Sequence, residues 1–156
     1  MRVRVIAVGT RMPRWVDEVF ADYARRLGPG LTLMLTEIAT AQRTRGGAAR
    51  RAAGTEARGL SGALRPGEFV VMLDERGREF STRELANWLG ERMVSGRDLA
   101  FVIGGPDGLT AEVRARGDLT WSLSRLTLPH ALVRVLLAEQ LYRAASLLAG
   151  HPYHRA

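Results

Sequence analysis

The chain has 156 residues, a formal net charge of +7 and no cysteine. That length points to one domain, 1–156, with enough buried surface for a core that needs no covalent staple. The missing cysteine excludes disulfides and thiolate metal sites, and with only His130, His151 and His154 as imidazoles, no metal centre is expected. All 23 basic residues are arginine, and a basic domain of this kind attracts phosphate-rich partners such as RNA. No N-terminal stretch reads as a secretion signal and no apolar run reaches the ~20 residues of a membrane span, so a cytoplasmic protein with no membrane partner is expected.

Residues 2–8 (RVRVIAV) are β-branched and alternate before becoming continuously apolar, the signature of a buried strand. The following VGTRMP holds one glycine, too few for a dinucleotide-binding fingerprint. Pro13 suits a helix start, and Trp15, Val16, Val19, Phe20, Tyr23 and Leu27 recur on one helical face until Gly28-Pro29-Gly30 stops it. A second strand covers 31–38. From Thr40 to Arg58 the composition turns to arginine, glycine and alanine, expected as a basic loop followed by an exposed helix running towards Leu64. Its cluster of Arg43, Arg45, Arg50 and Arg51 is either a solvated charged face or an arm that tracks phosphates.

Glu68 to Leu73 form a third strand ending at Asp74, and Gly77 marks a turn. Ser81 and Glu84 match a capping box for a helix to about Val94, with Gly96 as its stop. A fourth strand runs from Asp98 to Ile103, a short helix lies near 111–116, and Leu119 to Leu123 make a fifth strand. The last helix, 129–148, is apolar on nearly all sides except at Arg134, Glu139, Gln140 and Arg143, which implies burial partly against a second subunit. Alternating strands and helices predict an α/β fold with a mostly parallel sheet and flanking helices. Ligands in such sheets lie beyond the carboxyl ends of strands. Leu73, Gly104 and Leu123 all fall at such ends, so three loops, the one after Leu73, Gly104 to Gly108, and Ser122 to Leu128, are expected to meet in one place.

Four stretches carry a resemblance: VIAVGTRMPRW at 5–15, IGGPDGL at 103–109, WSLSRLTLPHALVRVLLAEQLYRA at 121–144 and HPYHR at 151–155. In order and at full length they resemble the RlmH family, small SPOUT-class enzymes that methylate N3 of a pseudouridine in large-subunit ribosomal RNA with S-adenosylmethionine. Residues 40–66 depart most and carry no motif of the family. The resemblance implies a SPOUT fold with a C-terminal trefoil knot, a homodimer, and the assembled ribosome with its 23S rRNA as substrate. It maps the cofactor onto Leu73, Gly104, Gly105, Leu123, Ser124, Arg125, Leu126, Thr127 and Leu128.

For the implied reaction, an imide nitrogen must lose its proton and be aligned with an activated methyl group. The candidate catalytic side chains are Glu139, Arg143, His154 and Arg155, although Glu139 and Arg143 also have the spacing of a plain helix ion pair. Tyr153 is a candidate for stacking on the target base, and Arg43 and Arg45 for contacting RNA. The tail, 150–156, is expected to complete the partner subunit's site. Two other readings stay open: a non-catalytic RNA-binding protein of ribosome assembly, and a SPOUT methyltransferase acting on another RNA base.

Overall fold

The computed structural model describes residues 1–43 and 48–154, with His154 described by its backbone alone. Five strands form one sheet: β1 (Arg2–Val8), β2 (Thr32–Ile38), β3 (Phe69–Glu79), β4 (Leu99–Ile103) and β5 (Leu119–Ser122). Their order is β2-β1-β4-β3-β5 and every neighbouring pair is parallel, so the expected α/β class holds. Between them run α1 (Arg14–Arg26), α2 (Ala48–Ala63), α3 (Thr82–Ser95), α4 (Ala111–Arg114) and α5 (His130–Leu148), with a 3-10 turn at Pro152–His154.

Strand alternation divides the core in two. Val3, Val5 and Ala7 of β1, with Phe101 and Trp121, face α1, α3 and α5 through Phe20, Leu85, Leu89, Leu137 and Leu141. Ile6, Val8, Met72 and Val102 face the other way, onto Ala57 and Leu60 of α2 and Val113 of α4. On that second face a charge is buried as well. Arg4 forks onto Glu68 at 2.6 and 2.7 Å, and Glu68 also accepts the Arg65 N–H at 2.9 Å. Such a pair tolerates burial because both oxygens and the guanidinium are satisfied.

Local signals survive intact where they are self-contained. Ser81 and Glu84 form the complete capping box of α3, and Gly96 ends it in the left-handed region at φ 72°. Elsewhere the tertiary structure overrides expectation. β3 does not end at Asp74 but continues to Glu79, its register against β5 shifting so that Trp121 faces both Leu73 and Arg78. Gly77 is therefore part of an irregular strand, where a Cβ would come within 2.7 Å of the backbone of Thr120 and Trp121. α2 is not an exposed helix: Ala48, Ala52, Glu56, Ala57 and Leu60 are buried, and Gly59 packs so close to Ile38 that a Cβ would meet it at 2.6 Å. A face of alanine and glycine can be a core face when the helix lies close to the sheet, which hydropathy patterns do not register. Trp15, expected on the buried side of α1, is 47% exposed. Among the described residues no helix is long and apolar enough to cross a membrane.

Candidate active site

A cleft of about 560 Å³ opens beyond the carboxyl ends of β4 and β5 and beside the irregular stretch of β3 after Leu73. Its volume falls in the range of small-molecule sites. Leu73, Ile103, Trp121, Leu123, Leu128 and Val133 give it an apolar lining, while Asp74, Ser124, Thr127 and the Gly104-Gly105 backbone add polar groups. Of the residues expected to hold the cofactor, Leu73, Gly104, Gly105, Leu123, Ser124, Leu126, Thr127 and Leu128 all line this one cleft. Arg125 does not: its side chain is 88% exposed and reaches Glu79 at 3.4 Å.

The first wall is a tight turn. Gly108 N–H donates to the Gly105 carbonyl at 2.9 Å across Pro106 and Asp107, and Gly108 takes φ 72°. Gly104 is needed for this packing itself, since a Cβ there would lie 2.7 Å from the Gly108 carbonyl carbon. The second wall folds on itself, with Ser122 Oγ donating to the Ser124 carbonyl at 2.8 Å and the Leu126 N–H donating to Ser124 Oγ at 3.0 Å.

A third wall follows Leu73, where a third strand-end loop is expected, but it is an irregular stretch of β3 and not a loop. There Asp74 accepts from Arg76 N–H at 3.0 Å and from Arg114 at 2.9 Å. Desolvation acts to raise its carboxyl, yet the Arg76 and Arg114 hydrogen bonds outweigh it and hold the group below the usual carboxylate range. Glu75 accepts from Thr127 Oγ1 at 3.2 Å, joining this wall to the second.

Helix α5 closes the back of the cleft. Arg134 is fully buried, donating to Glu37 at 2.7 Å and to the Gly9 carbonyl at 2.7 Å. His130 Nδ1 lies 3.0 Å from the Gly104 carbonyl oxygen, and Arg134 approaches His130 Nε2 at 3.3 Å. Burial, and secondarily the Arg134 charge, lower the His130 pKa and keep the ring neutral.

The expected catalytic residues gather elsewhere. Glu139 accepts from Arg143 Nε at 2.8 Å, from Gln140 at 2.6 Å and from Tyr153 Oη at 3.3 Å. Tyr153 lies 3.2 Å from the Tyr23 hydroxyl, packs edge-on to Tyr142 with centroids 4.6 Å apart, and sits under the Arg143 guanidinium at 5.0 Å. Its hydrogen bond with Tyr23 and its burial push the phenol well above the usual range, so it stays un-ionised. None of these side chains lines the cleft of its own chain; Arg143 is about 20 Å farther along α5 than His130 at 1.5 Å per residue. Arg43 bridges Glu56 at 3.0 Å and Asp107 at 2.8 Å, tying the segment after β2 to the turn of the first wall. Arg45, Arg155 and the His154 side chain lie outside the described residues. Among the described residues no cluster of histidine, aspartate and glutamate could hold a metal ion.

This cleft on three neighbouring parallel strands coincides with a match in sequence: the family model described as Predicted SPOUT methyltransferase covers residues 1–154. The chain belongs to the SPOUT methyltransferase family. Within it, the expected kinship with the RlmH family is borne out by curated relatives. The Ribosomal RNA large subunit methyltransferase H of Thioalkalivibrio sulfidiphilus is 55% identical over 99% of each chain. That of Alkalilimnicola ehrlichii is 54% identical over the whole of both. In fold, the chain resembles a probable methyltransferase from Bordetella pertussis Tohama I, with a TM-score of 0.56, 21% identity and coverage of 92% and 93%. TrmJ from Z. mobilis is similar with a TM-score of 0.53 and 16% identity, over 90% of this chain and 69% of that one.

Proposed function

We propose that the protein transfers a methyl group from S-adenosylmethionine to N3 of a pseudouridine in 23S rRNA, working in the cytoplasm as a homodimer on the assembled ribosome. The observation that carries this reading is the full-length identity, 55% over 155 residues, with a protein named Ribosomal RNA large subunit methyltransferase H. The cleft supports it physically. Leucines on two walls suit an adenine, the Gly104-Gly105 backbone and Ser124 suit polar groups, and the buried Trp121 Nε1 has no partner among the described residues.

When bound, S-adenosylmethionine supplies a methyl group on a positively charged sulfur, open to attack by a nitrogen anion. The chain must then hold the imide nitrogen in line with that methyl and stabilise it after its proton leaves. Bound S-adenosylmethionine would release its sulfur as S-adenosylhomocysteine once the methyl group had moved to the nitrogen. Arg143, a permanently charged guanidinium held in place by its hydrogen bond to Glu139, suits the stabilising task. Glu139 already accepts three hydrogen bonds and serves to orient that cation. His154 and Arg155 remain the candidates for receiving the proton and binding the nucleotide, with Tyr153 for stacking and Arg43 and Arg45 on the RNA side.

Because the Arg143 cluster lies far from its own cleft, a homodimer with shared sites fits best. Leu132 and Leu136 are exposed on α5 and Trp15 on α1, two helices that pack together. A two-fold contact over these apolar residues would bury them and carry the partner's tail towards the cleft mouth. The proposal is tested by methyl transfer from labelled S-adenosylmethionine to ribosomes lacking the modification. Label on a pseudouridine base of the large-subunit RNA is the expected result. Cofactor binding with label on another base would redirect the substrate, and no cofactor binding would favour a purely RNA-binding role.

A further inference from the structure

The start of α5 completes hydrogen bonding that the sheet leaves open. The β4 register ends with Ile103, paired to Ala7 and Leu73. One residue on, the Gly104 carbonyl meets His130 Nδ1 at 3.0 Å. One residue past β1, the Gly9 carbonyl receives Arg134 Nη2 at 2.7 Å. A guanidinium can only donate, so its approach to His130 Nε2 at 3.3 Å requires that nitrogen to be the bare acceptor. The ring proton then resides on Nδ1, where it donates to Gly104. Glu37 and the Gly9 carbonyl hold Arg134 in place, which makes one tautomer and one ring orientation the satisfied arrangement.

His130 stands two residues after Leu128, at the end of the second cleft wall, and Gly104 begins the first. We infer that His130 is a positioning residue for the cofactor: its hydrogen bond to the Gly104 carbonyl sets the separation of the two walls, and Arg134 fixes the tautomer that makes it. This rests on the reading of the cleft as an S-adenosylmethionine site. Protonated His130 would present a donor to Arg134, like charge against like. Facing the ring are Arg134 of α5, Glu37 of β2 and the strand-end carbonyls of Gly9 and Gly104. Asp74, Glu75, Arg76, Asp107 and Arg114 line the same cleft.

The test is calorimetric binding of S-adenosylhomocysteine to the full chain and its variants. His130→Leu removes the donor and should weaken binding about tenfold, as expected for one buried hydrogen bond. His130→Asn, whose amide reaches the place of Nδ1, should stay close to wild type. Wild-type affinity should fall as the pH drops below the ordinary imidazole value, while His130→Asn should lack that decline. If His130→Leu does not fold, His130→Gln, with no donor near Nδ1, takes its place with the same expectation. Unchanged affinity and pH profile in the donor-less variant, beside a wild type that binds, would overturn the inference alone. No binding by wild type would overturn the cofactor reading and this inference with it.

Discussion

The two ends of α5 carry polar clusters of opposite construction. Near the N-terminal end, Arg134 is fully buried and His130 half-buried, and their partners are the ends of β1, β2 and β4. At the other end Glu139, Arg143 and Tyr153 are half-buried, and they pair with one another and with Tyr23 of α1. The first cluster holds backbone in place, and any change in it is felt by the sheet. The second holds side chains that a nucleotide could displace. On the proposed reading, one helix thus anchors the cofactor cleft of its own chain and presents the groups for substrate to its partner's.

Removing either cluster should separate these roles. Arg134→Met leaves Glu37 and the Gly9 carbonyl without their donor, and should cost about 3 kcal/mol of stability in thermal or denaturant unfolding. Arg143→Ala removes a surface-type pair worth less than about 1 kcal/mol to the fold, yet should lower the methyl-transfer rate about a hundredfold at unchanged cofactor affinity. A large unfolding penalty for Arg143→Ala would erase the contrast.

The next effect is one of pH. His130 has a folded-state pKa below its ordinary 6.5, so the unfolded chain binds its proton more readily. Its contribution to stability is present in full above pH 6.5 and is lost as pH falls through the lower folded value. Unfolding midpoints of wild type should therefore drop on mild acidification relative to His130→Asn. Smallest is Arg125→Ala: with 88% of its side chain exposed, it should leave both stability and cofactor binding within error, even though it sits inside the second wall.

Much of the fold was legible because its signals are local. Ser81 with Glu84, and Gly96, each act within one turn of helix, and the segments at Leu73, Gly104 and Leu123 converge by the topology of parallel sheets alone. What escaped depends on distant partners. Arg134 reads as a break in a greasy helix, but it is buried because Glu37 and Gly9, far away in sequence, satisfy it. Arg43 reads as one of a solvated cluster, yet it bridges Glu56 and Asp107. Gly77 reads as a turn because nothing in its neighbourhood reveals the backbone of Trp121 lying against it. The cleft's apolar lining was readable, and so was a third wall after Leu73; that this wall is strand and not loop was not.

The most direct test of the separation along α5 is complementation in mixed dimers. Gly104→Val, which drives a side chain into the Gly108 backbone, disables the cleft but spares the tail cluster; Arg143→Ala does the reverse. Each homodimer should be inactive in methyl transfer. Co-expressed and randomly paired, the two chains should recover about a quarter of wild-type activity, since half the dimers are mixed and each mixed dimer holds one intact shared site. No recovery, with mixed dimers demonstrably present, would contradict the account and require each chain to complete its own site.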